Sequence, residues 1–291
     1  MKSNPGTRFK DWVQLSKLNI MLPVSLTGFT GYFIFSPHFS INLFILTIGI
    51  LLMAVSASSL NQIQEADLDS KMERTLDRPI PAGRIKLSHA MIFSGLSLLA
   101  GVLITYFAGN LLASLTGLFT VFWYNGIYTY TKRISAFAVV PGALTGALPP
   151  LIGWVAAGGG IVEKPIIFIE FLFFTGQIPH FWLLILKYGE EYHRAGIPTL
   201  TDIFSRDQIN RLTFTWVLTS VIAAIFLCYF EVIKSGLVIA ILLAASLLLV
   251  WKFSSLIKAG SDSRTYKKYS MLLDSYFLLV LLLLISDRII S

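Results

Sequence analysis

Apolar residues in this chain do not recur at helical or strand spacing. They come in long runs, each closed by a short polar segment. A helix needs about 20 apolar residues to cross the ~30 Å hydrocarbon core of a bilayer. Nine runs of roughly that length are present, at about 18–36, 40–60, 87–107, 110–130, 136–156, 165–186, 209–230, 232–256 and 268–288. The third and fourth are divided only by Ala108-Gly109-Asn110. The expected fold is therefore all-α, a single polytopic membrane domain over residues 1–291 with nine transmembrane helices. Two connections, 61–86 and 187–208, are long and polar, and they follow the second and sixth runs. That spacing predicts two four-helix units in the same orientation plus a ninth helix.

Composition agrees with the runs. The chain is 55% hydrophobic and 13% charged, where a soluble domain carries about 25% charged residues. Of its 23 Lys and Arg residues, 20 fall on one side of the predicted helices, leaving only Lys164, Lys234 and Arg288 on the other. Basic loops stay cytoplasmic. The N-terminus and both long connections are thus expected on the cytoplasmic face of a bacterial inner membrane, with the C-terminus opposite. The net charge of +7 is explained by this asymmetry, so a nucleic-acid partner is not implied. The basic N-terminal segment lacks a small-residue cleavage site, so Leu18 onward is read as a retained helix. One cysteine, Cys228, lies in an apolar run, which excludes a disulfide framework.

The candidate chemistry lies in Asn61–Arg78, NQIQEADLDSKMERTLDR, which holds Glu65, Asp67, Asp69, Glu73 and Asp77. Asn61, Glu65 and Asp69 stand at i, i+4 and i+8, one face of a helix. Oxygen ligands in such a row suit a hard cation such as Mg2+, which favours carboxylate together with substrate phosphate. The second connection begins KYGEEYHRAGIPTLTD and brings Lys187, Glu190, Glu191 and Tyr192. The short loop after the fourth run adds Tyr128, Tyr130, Lys132 and Arg133. Two acidic helix ends with cations between them make a plausible diphosphate site, in which metal and basic groups stabilise charge on a leaving oxygen.

These segments resemble the UbiA-type intramembrane prenyltransferases. The family pattern N-x-x-x-D-x-x-x-D falls on Asn61, Glu65 and Asp69, with Glu65 in place of the usual Asp. A narrower continuation, D-x-x-M-x-R-T-x-x-R-P, reads as Asp69, Met72, Arg74, Thr75, Arg78 and Pro79, and resembles the branch that makes haem O. YTYTKR, PGALTGALPPLIGW, PHFW and EEYHRAGIP follow in the order of that branch, with Glu191 at its usual Asp position and Thr199-Leu200-Thr201 replacing the commoner Met/Leu-Leu-Pro. The resemblance implies transfer of a farnesyl group from farnesyl diphosphate to a vinyl group of haem b, with addition of water. It implies that Asn61, Glu65, Asp69 and Glu191 hold Mg2+ and that Lys71, Arg74, Arg78, Lys132, Arg133 and Lys187 face the diphosphate. Arg74 and Arg78 are the preferred pair, since guanidinium forks match phosphate. His180, His193 and Tyr128 are the candidates for contact with haem, and haem A synthase or an oxidase assembly protein is a candidate partner.

Other polar residues carry competing readings. His180 is a haem contact or a helix–helix hydrogen bond. Inside runs, Glu170 reads as lying near the outer side, far from the metal, and Asp274 as a helix–helix hydrogen bond, with His38 and His89 as boundary residues. Gly142, Gly146 and Gly153 with Pro149-Pro150 offer either close helix packing or room for a porphyrin. The alternative acceptor is an aromatic or quinone precursor. A transporter would place its site at the midplane, at broken helices, whereas these acids crowd one face.

Overall fold

The computed structural model describes residues 5–258 and 263–291, and among these there is no strand. Each apolar run becomes a helix, because a segment surrounded by lipid must satisfy its backbone internally. After an N-terminal helix α1 (Pro5–Ser16) come α2 (Leu18–Phe35), α3 (Ile41–Gln64), the short α4 (Ala66–Asp69) and α5 (Leu87–Ala108). The fourth run is α6 (Leu111–Phe122), a π-helical turn (Trp123–Tyr128) and α7 (Thr129–Ile134) in direct succession. Then follow α8 (Val139–Ala156), α9 (Lys164–Arg194), α10 (Arg206–Tyr229), α11 (Gly236–Ser254) and α12 (Ser263–Ile290). Eight helices among the described residues are long and apolar enough to cross a membrane. The expected span that is not among them, the fourth at 110–130, is not a uniform helix: the π turn divides it, and it runs on to Ile134. α9 also passes its expected end at 186, so the second polar connection is helical as far as Arg194. Of the basic residues used to orient the chain, Lys2 lies outside the described residues.

Several ends follow from local sequence. Ser40 caps α3 and Asn110 caps α6, each accepting a backbone N–H three residues on, and Ser205 with Gln208 closes a capping box on α10. At the ends of the helices away from the two polar connections, buried Asp287 accepts the backbone N–H groups of Lys234 and Ser235. α2, α3, α5, α6 and α8 pack around one another, and α9 to α12 form a second ring. The α8–α9 and α2–α12 contacts join the two groups. Outward faces carry large apolar side chains such as Leu96, Phe107, Leu247 and Trp251, a lipid-facing surface no soluble monomer shows.

The glycines of α8 are used for packing. A Cβ on Gly153 would lie 1.8 Å from the Gly28 carbonyl oxygen, and one on Gly31 would lie 1.9 Å from that of Pro150. α2 and α8 therefore cross backbone to backbone. Gly142 is covered by the Tyr128 ring and Gly146 by Gln177, so in this structure the space beside these glycines is filled by protein rather than left for a porphyrin.

Candidate active site

The site is built where α3 ends. Backbone bonds from Glu65 N to the Asn61 carbonyl (2.9 Å) and from Asp69 N to the Glu65 carbonyl (2.8 Å) carry the helical register across the break between α3 and α4. Asn61, Glu65 and Asp69 thus keep the common face expected of them, and all three are buried. The second connection is brought against them by a small apolar cluster of Leu68, Met72, Ala195 and Ile197, with Tyr192 packed alongside. Gly196, at φ +77°, makes this possible. It ends α9 in a left-handed turn, with the Ile197 N–H bonded to the Tyr192 carbonyl, and so folds Ile197 back onto the first connection.

Each carboxylate among the expected metal ligands is engaged by a basic residue or a backbone donor. Lys132 Nζ donates to both oxygens of Glu65, at 2.9 and 3.1 Å. Arg78 donates to Asp69 at 2.6 Å. Glu191 accepts the backbone N–H of Arg74 at 3.2 Å, while the Arg74 guanidinium lies over the Tyr188 ring and donates to the Tyr192 hydroxyl. Asn61 is oriented by a chain of donors. Thr129 Oγ1 gives its proton to the Tyr124 carbonyl at 2.9 Å, inside the π turn. It therefore accepts from Asn61 Nδ2 at 3.1 Å, leaving Asn61 Oδ1 without a protein donor among the described residues. Buried carboxylates and an amide oxygen are hard donors that fit Mg2+. No three acidic or histidine side chains among the described residues converge closely enough to hold a metal by themselves, so substrate phosphate or water would complete any coordination.

The other expected residues divide. Tyr128 lines a cavity of about 100 Å3 with Lys132, Phe181, Tyr192 and Pro198, next to the ion pairs. Lys187 sits 4.4 Å above the Tyr188 ring. Arg133 turns the other way. It binds both oxygens of Asp67 and the Gln64 carbonyl, where it closes the C-terminal end of α3 and holds the Asp67 carboxyl below the usual range. Lys71 is exposed, with no partner among the described residues. Arg74 and Arg78 are not stacked on one helical face, because 70–86 is a series of turns. His193 bonds Asp202 at 3.2 Å in a separate surface cavity with Glu190, Arg194 and Arg206. His180 pairs with Asp274 deeper in the membrane part.

One residue was missed. Lys17 joins α1 to α2 in a left-handed conformation, φ 47° and ψ 43°, which costs a non-glycine residue on the order of 1 kcal/mol. The corner is fixed from both sides: Gln62 donates to the Leu15 carbonyl at 2.8 Å, and Leu15 is fully buried. Burial pushes the Lys17 ammonium down to about 7; Arg78 acts in the same direction, and Glu65 and Asp69 oppose it. In sequence Lys17 is one more basic residue before an apolar run, the ordinary topology signal. Only the corner aims it at the acids.

The model of the UbiA prenyltransferase family matches residues 23–280. The chain belongs to the UbiA prenyltransferase family. Among relatives of this UbiA chain, the protoheme IX farnesyltransferase of Bradyrhizobium sp. strain BTAi1 is 37% identical over 82% of the chain and 77% of its own length. That of Nitratidesulfovibrio vulgaris is 33% identical over 77% and 78% respectively. The UbiA fold is shared with a digeranylgeranylglyceryl phosphate synthase structure (TM-score 0.78, 18% identity, 98% of this chain and 100% of that one). It is shared too with a UbiA homologue from Archaeoglobus fulgidus bound to GPP and Mg2+ (TM-score 0.68, 15% identity, 93% and 99%).

Proposed function

We propose that this integral membrane prenyltransferase transfers a farnesyl group from farnesyl diphosphate to a vinyl group of haem b, adding water to give haem O. The single observation that carries the reading of the site is the set of contacts closed on its three acids: Glu65 on the Lys132 ammonium, Asp69 on the Arg78 guanidinium and Glu191 on the Arg74 backbone N–H. A diphosphate arriving with its metal exchanges partners in this set. Glu65, Asp69 and Glu191, with Asn61 Oδ1, would hold the metal, and Lys132, Arg78 and Arg74, joined by Lys17, would take phosphate oxygens. Mg2+, when bound, neutralises charge on the leaving diphosphate. The rings of Tyr128, Phe181 and Tyr192 beside Lys132 give the allylic cation aromatic faces, which stabilise positive charge. They also keep water away until the vinyl carbon has attacked. The relatives named as protoheme IX farnesyltransferases support haem as the acceptor. The active-site connections lie on the cytoplasmic side in this reading, carried by the excess of Lys and Arg there.

The test is mass spectrometry of haem from membranes holding the protein, given haem b, farnesyl diphosphate and Mg2+. The expected product is heavier by one farnesyl and one hydroxyl group, the second proton of the water being released, and it disappears with chelator or in Asp69→Ala while the variant remains inserted. Unmodified haem, with diphosphate released only when an aromatic acceptor is offered, would transfer the acceptor role to an aromatic compound.

A further inference from the structure

Polar side chains between these membrane helices fall into two kinds. Ser56 with Ser94 and Ser246 with Tyr276 are hydrogen-bonded pairs sealed from outside, both members buried. Such pairs hold helices together. His180 and Asp274 differ. His180 Nδ1 lies 2.8 Å from Asp274 Oδ1, yet the side chains remain 31% and 52% exposed. Ionisable groups in the apolar part of a membrane helix are costly, and a pair serving only as glue would be closed.

The pairing is set by the packing around it. Gly176 lacks a side chain where the Phe277 ring presses against α9, and a Cβ there would meet that ring at 1.9 Å. The two helices run antiparallel, so this contact brings His180, one turn on in α9, opposite Asp274, one turn back in α12. With Nδ1–H given to the carboxylate, Nε2 keeps its lone pair and has no protein partner among the described residues. The ring meets Phe181 edge-on at 5.9 Å, and Phe181 faces Tyr128 at 6.1 Å. Phe181 and Tyr128 both line the cavity that contains Lys132. His180 precedes Glu191 by eleven residues, about 16 Å along the helix. It therefore lies deeper in the membrane than the ion pairs but is joined to them by a continuous run of rings.

A neutral imidazole held through Nδ1 by a carboxylate, with Nε2 open, is the usual form of a metal-ligating histidine, and imidazole suits iron. We infer that His180 Nε2 is an axial ligand to the iron of the haem acceptor, with Asp274 as a positioning residue that fixes the ring and strengthens the donor. This rests on the haem reading above. It adds that the porphyrin is held by its metal, beside Phe181, rather than by shape alone.

The experiment uses the whole protein in lipid nanodiscs, titrated with haem b and followed by visible absorption and, for the ferrous form, resonance Raman. The wild type should show an imidazole-ligated spectrum. His180→Ala should lose it and regain it with added imidazole. Asp274→Asn should keep the ligated spectrum with the iron–histidine stretch at lower frequency, and bind about ten- to a hundredfold more weakly. Haem O formation is measured on the same samples. If the wild type makes haem O but His180→Ala gives an unchanged spectrum, the ligand assignment is wrong and the acceptor reading stands. A wild type that makes no modified haem removes both.

Discussion

Lys17 shows what a residue's neighbours do to its charge. In Lys17 the ordinary value is 10.5 and the folded value about 7, so over that interval the unfolded chain holds a proton that the folded chain does not. Stability must rise with pH across that window. The thermal midpoint of the substrate-free protein should climb from pH 7 towards 10, and Lys17→Met should flatten that part of the curve. Lys17→Met should also raise the KM for farnesyl diphosphate about tenfold, as expected for one lost charge-assisted contact of ~1.5 kcal/mol. The acids were legible in the sequence because i, i+4, i+8 is a local pattern. Their partners were not: Lys132 is 67 residues from Glu65, and whether it or Arg133 faces the site depends on the π turn, which no residue type announces.

Among the elements, the α2–α8 crossing makes the sharpest demand. Gly153→Ala sets a methyl carbon against the Gly28 carbonyl oxygen, and overpacking of this sort costs about 1–3 kcal/mol. The variant should give a lower thermal midpoint and less folded protein in detergent. Gly95→Ala is the control. Nothing lies within 4 Å of a Cβ there, so it should be neutral or slightly stabilising in its helix. Helix positions were legible because apolar length is dictated by the bilayer. The break at Trp123–Tyr128 was not, since Asn125 earns its place there only by bonds to the Ala57 carbonyl and Gln64, residues on another helix. The extension of α9 to Arg194 was hidden for the converse reason: its last turns leave the lipid, and apolar length stops reporting helix.

For the molecule as a whole, the expected topology depends on sums of charge rather than on any contact. Single cysteines in a Cys228→Ser background test it: a membrane-impermeant thiol reagent applied from outside the cell should label position 234 and leave position 71 untouched. The same one-sided charge also governs how the enzyme is loaded. A site whose acids already hold the protein's own cations resembles an ion-exchange resin in its internally neutral form. On the proposed site, magnesium alone would strip counterions from the acids and leave lysine and arginine bare; diphosphate alone would do the reverse. Each ligand should therefore tighten the other by the same factor. Calorimetry with inorganic diphosphate should give weak binding without magnesium and much stronger binding with it, so that in the cell the salt, and not either ion, is what this membrane enzyme recognises.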